Sequence, residues 1–136
     1  MYLLDTNVVS EMRKPRPHGA VVAWMRFQAV DSLFLSSITL LELQQGAERT
    51  RRQDTAMAQK LDTWISGIAS TMTVLPADGD VCRETARIMV RKTPALFQNA
   101  FIAATARVHR LTMATRNLRD FAHFDVPTFN PFTYSH

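Results

Sequence analysis

Four short apolar runs, each ended by a polar residue or a proline and separated by segments of helical periodicity, constrain this chain most. Tyr2-Leu3-Leu4 ends in Asp5, Leu33-Phe34-Leu35 in Ser36-Ser37, Thr73-Val74-Leu75 in Pro76, and Leu111 to Ala114 in Thr115-Arg116-Asn117. Runs this short and this apolar suit strands buried on both faces. Strands that alternate with helices need crossover connections, and so a parallel sheet covered on both sides. A last short strand is expected between Asp125 and Pro131. The expectation is one domain over residues 1–136, of α/β class, with three α/β/α layers about a short central parallel sheet.

The segments between the runs carry their own signals. Asp5-Thr6-Asn7 offers N-cap chemistry for a short helix through Val8, Val9 and Met12, halted by Pro15 and Pro17. Val21, Val22, Met25 and Ala29 recur at helical spacing with Trp24 beside them, which predicts a helix over about 18–29. Ile38, Leu41 and Gln45 follow the same spacing and place Glu42 on a helix running to Arg49. Ala58, Leu61, Ile65 and Ile68 mark the apolar face of a helix from Thr55 to about Ile68. Asp78 or Asp80 caps the next, with Val81, Thr85, Ile88 and Met89. Asn99 to His109 forms another, with Ile102, Ala103 and Ala106 inward.

Composition narrows the classes. With 46% of 136 residues hydrophobic, the chain can bury a core, yet nothing approaches the roughly 18 to 20 apolar residues of a membrane span. The Met1-Tyr2-Leu3-Leu4-Asp5 start has no basic segment followed by an apolar run, so no secretory signal is expected. A single cysteine, Cys82, cannot close an intramolecular disulfide, and a cytoplasmic location is expected. The formal net charge is +4, with clusters at Arg13, Lys14 and Arg16, at Arg49, Arg51 and Arg52, and at Arg116 and Arg119. Such clusters suit phosphates or an acidic partner. His18, His109, His123 and His136 have no zinc-like spacing with Cys82, Ser36-Ser37 lacks a nucleophile elbow, and four glycines form no phosphate loop. Phe121, Phe124, Phe129, Phe132 and Tyr134 read as packing near the C-terminus rather than as a base-stacking platform.

In open parallel sheets, ligands gather outside the carboxyl ends of the strands. Asp5 ends the first strand, Glu42 lies on the helix after the second, Asn99 starts the helix leading into the fourth, and Asn117 follows the fourth. Each has a plainer role open to it: Asp5 and Asn117 as helix caps, Glu42 as a surface glutamate, Asn99 as an ordinary helix-start residue. Convergence is what would make them a site. Carboxylates gathered at one point repel each other unless a cation joins them, which favours Mg²⁺ or Mn²⁺. Such an ion can activate water and stabilise a leaving phosphate oxygen.

Leu4-Asp5-Thr6-Asn7-Val8, then Leu41-Glu42-Leu43 with Gly46 behind it, then Ile102-Ala103-Ala104-Thr105-Ala106 followed by Ala114 to Phe121, resemble the PIN domain of VapC and FitB toxins. The resemblance runs through essentially the whole chain. It implies a metal-dependent endoribonuclease held silent by an antitoxin, usually a homodimer, and acting on RNA when released. By the same resemblance Asp5 is a metal ligand, Glu42 helps hold the metal or position water, and Asn117 supplies a fourth polar position. Asp120 is a less favoured substitute for Asn117. Thr115 is expected to hydrogen-bond the acidic cluster and Asn7 to orient Asp5. Arg13, Lys14 and Arg116 are the candidate RNA contacts. An antitoxin segment is expected in a hydrophobic groove between helices near Trp24 and Trp64, and the Ala58–Ile68 face or the later helices could supply a dimer contact.

Position 99 departs from the pattern. The resemblance puts a second aspartate ligand there, and this chain has Asn99, a neutral amide with one oxygen to offer a cation. Weaker Mg²⁺ binding and weaker hydrolysis are expected, whether the site weakened naturally or an aspartate was exchanged for its isostere. A non-catalytic module that binds RNA or antitoxin is the alternative. A phosphatase-like phosphoryl-transfer enzyme fits less well, since Asp5-Thr6-Asn7 has no second aspartate two residues on.

Overall fold

The first strand sits at the centre of the sheet. β1 (Tyr2–Leu4) pairs in parallel with β2 (Leu33–Ser36) on one side and β4 (Thr112–Ala114) on the other. β3 (Thr73–Leu75) and β5 (Thr128–Phe129) complete an all-parallel order of β3-β2-β1-β4-β5 in this computed structural model, which describes residues 1–135. His136 lies outside the described residues. The order reverses beside β1, so the chain crosses over in opposite directions from the centre and leaves a crevice at the carboxyl end of β1.

Alternation along the strands builds two cores. Leu3 and Met113 face one side with Ala100, Ile102, Ala103, Ala106 and Phe121. Leu4, Ala114, Leu33 and Leu35 face the other with Val8, Val9, Val21, Trp24 and Ile68. The period of two is thus satisfied on both faces, as the apolar runs require. α1 (Thr6–Val9), α2 (Gly19–Arg26) and α4 (Thr55–Thr71) supply the second core; α5 (Gly79–Ile88), α6 (Phe97–His109) and α7 (Leu118–Phe121) flank the first. α3 (Ser37–Arg51) contributes Ile38 to one and Leu40 and Leu43 to the other.

Caps explain several boundaries. Asp5, Ser36, Asp54 and Asp78 each accept a backbone N–H at the start of α1, α3, α4 and α5. Asp78 is the cap of α5, and Asp80 lies in its first turn. The helix expected over 18–29 stops at Arg26, and its buried residues are Val21 and Trp24 while Ala29 is exposed. Trp24 carries the larger apolar area, so its side of the helix turns inward. On α3 the expected Leu41–Gln45 stripe is exposed, and the buried side runs through Thr39 and Ala47. α6 begins at Phe97, two residues before Asn99, and closes at Arg110 in the left-handed conformation at φ 56°.

Candidate active site

Sheet register places the first carboxylate. The Asp5 backbone N–H donates to the Ala114 carbonyl at 2.9 Å, and the Thr115 N–H donates to the Phe129 carbonyl at 2.9 Å. These bonds extend the β1–β4 and β4–β5 pairings one residue past the strands and set Asp5 against Thr115. Asp5, only 6% exposed, then accepts three donors. Its Oδ1 takes the Thr6 N–H at 2.8 Å, and its Oδ2 takes the Thr115 hydroxyl at 2.8 Å and the Asn7 amide at 3.1 Å. Asn7 in turn accepts the Arg116 backbone N–H at 3.2 Å, and Thr115 Oγ1 accepts that of Asn117 at 2.9 Å. Thr115 and Asn7 therefore have the positions expected of them.

Thr6, which the motif reading passed over, joins the two acids. Its hydroxyl donates to Glu42 Oε2 at 3.4 Å while its N–H holds Asp5. The only sequence signal for it is its place between Asp5 and Asn7. Glu42 Oε1 is buried and has no hydrogen-bond partner among the described residues. Burial pushes the Asp5 carboxyl up, against the pull of the Thr115, Thr6 and Asn7 bonds, and the Asp120 charge adds to the rise. Burial pushes Glu42 up too, and repulsion from Asp5 adds to it, opposed by the Thr6 bond. The Asp5 carboxylate is thus close enough to disfavour the charge of Glu42.

The other candidates are less engaged. Asn99 is half-buried in the first turn of α6, whose N-terminus lies at the carboxyl edge of the sheet, and no hydrogen bond fixes its amide among the described residues. The Asn117 side chain is exposed and makes no capping bond to α7, so its tie to the site is its backbone N–H. The carboxylate of that segment whose charge bears on Asp5 is Asp120, the substitute ranked below Asn117 from sequence. Lys14 is occupied by Glu11, a buried carboxylate that also accepts the His18 N–H at 2.9 Å. Arg116 is exposed with its guanidinium 3.7 Å from the centre of the Phe132 ring. Arg13 is exposed and unpaired among the described residues.

The donor set fits a divalent cation. A buried carboxylate oxygen without a partner, beside a second carboxylate that raises its pKa, is relieved by a positive charge. Mg²⁺ needs only one or two protein carboxylates, with water completing the shell. The set is lean, however: among the described residues no three His, Cys, Asp or Glu side chains converge.

Apolar clefts do lie between the early helices and α4, lined by Met12, Met25 and Met72 and by Met12, Leu61 and Trp64, but the Trp24 ring lines neither. Trp24 is 2% exposed and packs edge-on to Tyr2 at 5.0 Å and against Phe129 at 5.6 Å. Its ring fills the core beneath β1, where burying so large an apolar area is most favourable. Trp64 is half-buried and does line a surface cleft.

A parallel α/β/α sandwich with paired acids at its switch point defines the class of protein. The PIN-domain family matches residues 2–127. The toxin FitB of Neisseria gonorrhoeae is 36% identical over 97% of this chain and 99% of its own length. A VapC ribonuclease of Sinorhizobium fredii is also 36% identical, over 97% of this chain and 98% of its own. The crystal structure of FitAcB from Neisseria gonorrhoeae superposes with a TM-score of 0.78 at 33% identity, covering 98% of this chain and all of that one. The chain belongs to the PIN-domain family. Within it, the FitB and VapC toxins are its relatives.

Proposed function

We propose that this chain is the ribonuclease toxin of a toxin–antitoxin pair, hydrolysing RNA phosphodiester bonds with Mg²⁺ or Mn²⁺ held at Asp5 and Glu42. The observation that carries this is the buried, unpartnered Oε1 of Glu42 beside the triply hydrogen-bonded Asp5. A bound divalent cation supplies charge stabilisation for the reacting phosphate and acidifies water. The protein's own contribution is orientation. Thr115, Asn7 and the Thr6 N–H fix the Asp5 carboxylate in one rotamer, and the Thr6 hydroxyl fixes one oxygen of Glu42, leaving the other free for a cation or a water proton. Asn99 offers one amide oxygen, Asp120 adds long-range charge, and Asn117 stays a weaker member. Arg116, steadied on Phe132, and Arg13 meet backbone phosphates, and Lys14 does so when it leaves Glu11.

The partner is an antitoxin protein. FitAcB, and a DNA-bound VapBC from Salmonella typhimurium with a TM-score of 0.74 at 25% identity, are both superposable on this chain. A homodimer within a toxin–antitoxin hetero-oligomer follows from the same likeness. No helix among the described residues is long and apolar enough to cross a membrane.

RNA cleavage by this chain and by Asn99→Asp, side by side with Mg²⁺, with Mn²⁺ and with chelator, tests the reading. Cleavage that needs metal and is much faster in the aspartate form is expected. Silence of both folded forms on several RNAs would favour a non-catalytic module that binds RNA or antitoxin, the second reading, which the lean acidic set supports.

A further inference from the structure

Among the described residues, two buried side-chain oxygens lack a hydrogen-bond partner, Thr39 Oγ1 and Glu42 Oε1. Both stand on α3, three residues apart, and residues at that spacing are neighbours on one side of a helix. Side chains on a helix lean toward its N-terminus, so the Glu42 carboxylate reaches back over the turn that holds Thr39. The two are complementary. A hydroxyl has a proton to give, and an ionised carboxylate oxygen can only accept one.

Thr39 also differs from other threonines within helices. Thr50, Thr63, Thr71, Thr85 and Thr105 each donate to the carbonyl four residues earlier, at 2.7–3.1 Å. Thr39 is the third residue of α3, and four residues before it stands Leu35, in β2. No helix carbonyl is there to take its proton. Its serine neighbours are committed elsewhere, Ser36 Oγ to the Ile38 N–H and Ser37 Oγ to the Ala77 N–H, both at 3.0 Å. Thr39 is 0% exposed. Valine would fill the same space without a hydroxyl, so packing alone does not ask for threonine, and a hydroxyl buried without a partner is costly.

Resting on the nuclease reading above for the cation it serves, we propose that Thr39 is a positioning residue for Glu42, acting through one buried water. The Thr39 hydroxyl donates to that water, and the water donates to Glu42 Oε1. Ordered water is held where enclosed polar groups have no partner of their own. The Thr6 hydroxyl already holds Oε2 at 3.4 Å. With the water on Oε1 the carboxylate is held at both oxygens, and the second lone pair of Oε1 stays open to a divalent cation. Groups that orient a metal-binding side chain in this way change metal affinity by about tenfold or more.

The test uses the full chain with Thr39→Val, Thr39→Ser, Glu42→Met, and Thr39→Val combined with Glu42→Met. Urea denaturation in chelator gives the double-mutant cycle and checks that each variant folds. Thr39→Val is expected to lower the folding equilibrium constant about fivefold in the parent, since the hydroxyl has a partner there to lose. In the Glu42→Met background, where the water has no acceptor, the same change should cost nothing. Mn²⁺ titration of the Asn99→Asp chain, followed by electron paramagnetic resonance, should show about tenfold weaker binding with Thr39→Val and near-parent binding with Thr39→Ser. A packing role would rank those two the other way, because valine keeps the volume and serine leaves a methyl-sized gap. A high-resolution crystal structure should hold a water at about 2.7–3.2 Å from both oxygens. Absence of that water, equal losses in the two backgrounds, or Mn²⁺ affinity indifferent to Thr39→Val overturns the proposal, while the nuclease reading stands if Asn99→Asp cleaves RNA with metal. If Asn99→Asp neither binds Mn²⁺ nor cleaves RNA, the nuclease reading falls and the proposal falls with it.

Discussion

The Thr115 hydroxyl donates to Asp5 Oδ2 at 2.8 Å, joining residues 110 positions apart in sequence at the carboxyl edge of β1 and β4. Because Asp5 is buried, this bond is worth more than a surface one. Thr115→Val keeps the shape and removes the hydroxyl, which also leaves the Asn117 N–H without its acceptor. A loss of about 2 kcal/mol in urea denaturation is expected, together with weaker Mn²⁺ binding. Thr115→Ser should restore most of both.

Glu42 makes the metal-free protein sensitive to pH in an unusual direction. Burial and the Asp5 charge raise its pKa above the usual 4.5, so the fold disfavours the ionised form. Stability from this group is therefore fully present below the ordinary value of 4.5 and is lost as pH rises from there through the raised pKa. Glu42→Gln removes that loss and keeps an acceptor for the Thr6 hydroxyl. Thermal melts in chelator should show the variant more stable at neutral pH by no more than about 1 kcal/mol, since solvent screens a half-buried group. The difference should vanish below pH 4.5.

Asn99→Asp should move stability in opposite directions with and without metal. A third carboxylate adds repulsion to Asp5 and Glu42, lowering the melting temperature in chelator. With Mn²⁺ the same charge raises affinity, and ligand linkage then raises the melting temperature with metal concentration. Curves that shift equally in both conditions would place residue 99 away from the acidic pair.

Trp24→Ala tests the core. With the ring 2% exposed between Tyr2 and Phe129, its removal is expected to destabilise by about 3–5 kcal/mol. Trp24→Phe should recover part of that. Chemical denaturation measures both.

Local chemistry made much of this protein legible in advance. Tyr2-Leu3-Leu4 and Leu33-Phe34-Leu35 are short apolar runs bounded by polar residues, as central strands are, and Asp5, Ser36 and Asp78 sit where a helix start needs an acceptor. Those are properties of neighbouring residues, and they carried the α/β/α class and the sheet's parallel sense. The acidic pair of Asp5 and Glu42 was marked by the resemblance of their motifs to the PIN domain, since local chemistry left a helix cap and a surface glutamate equally open.

Which face of a helix turns inward is a different kind of question, decided by what the rest of the chain offers to cover it. α3 bridges both cores, so its buried side runs through Thr39 and Ala47 and leaves Leu41 exposed, against the stripe its apolar residues suggest. Trp24 met Tyr2 and Phe129 and became core, while Trp64 was left half-exposed beside two arginines. The sequence by itself determined the elements, their order and the acids at their ends, because propensity, capping and periodicity act over a few residues. Only the tertiary structure decided that Thr6 bridges those acids and that Asp120 rather than Asn117 bears on the charge of Asp5. Those relations depend on the register of strands far apart in the chain.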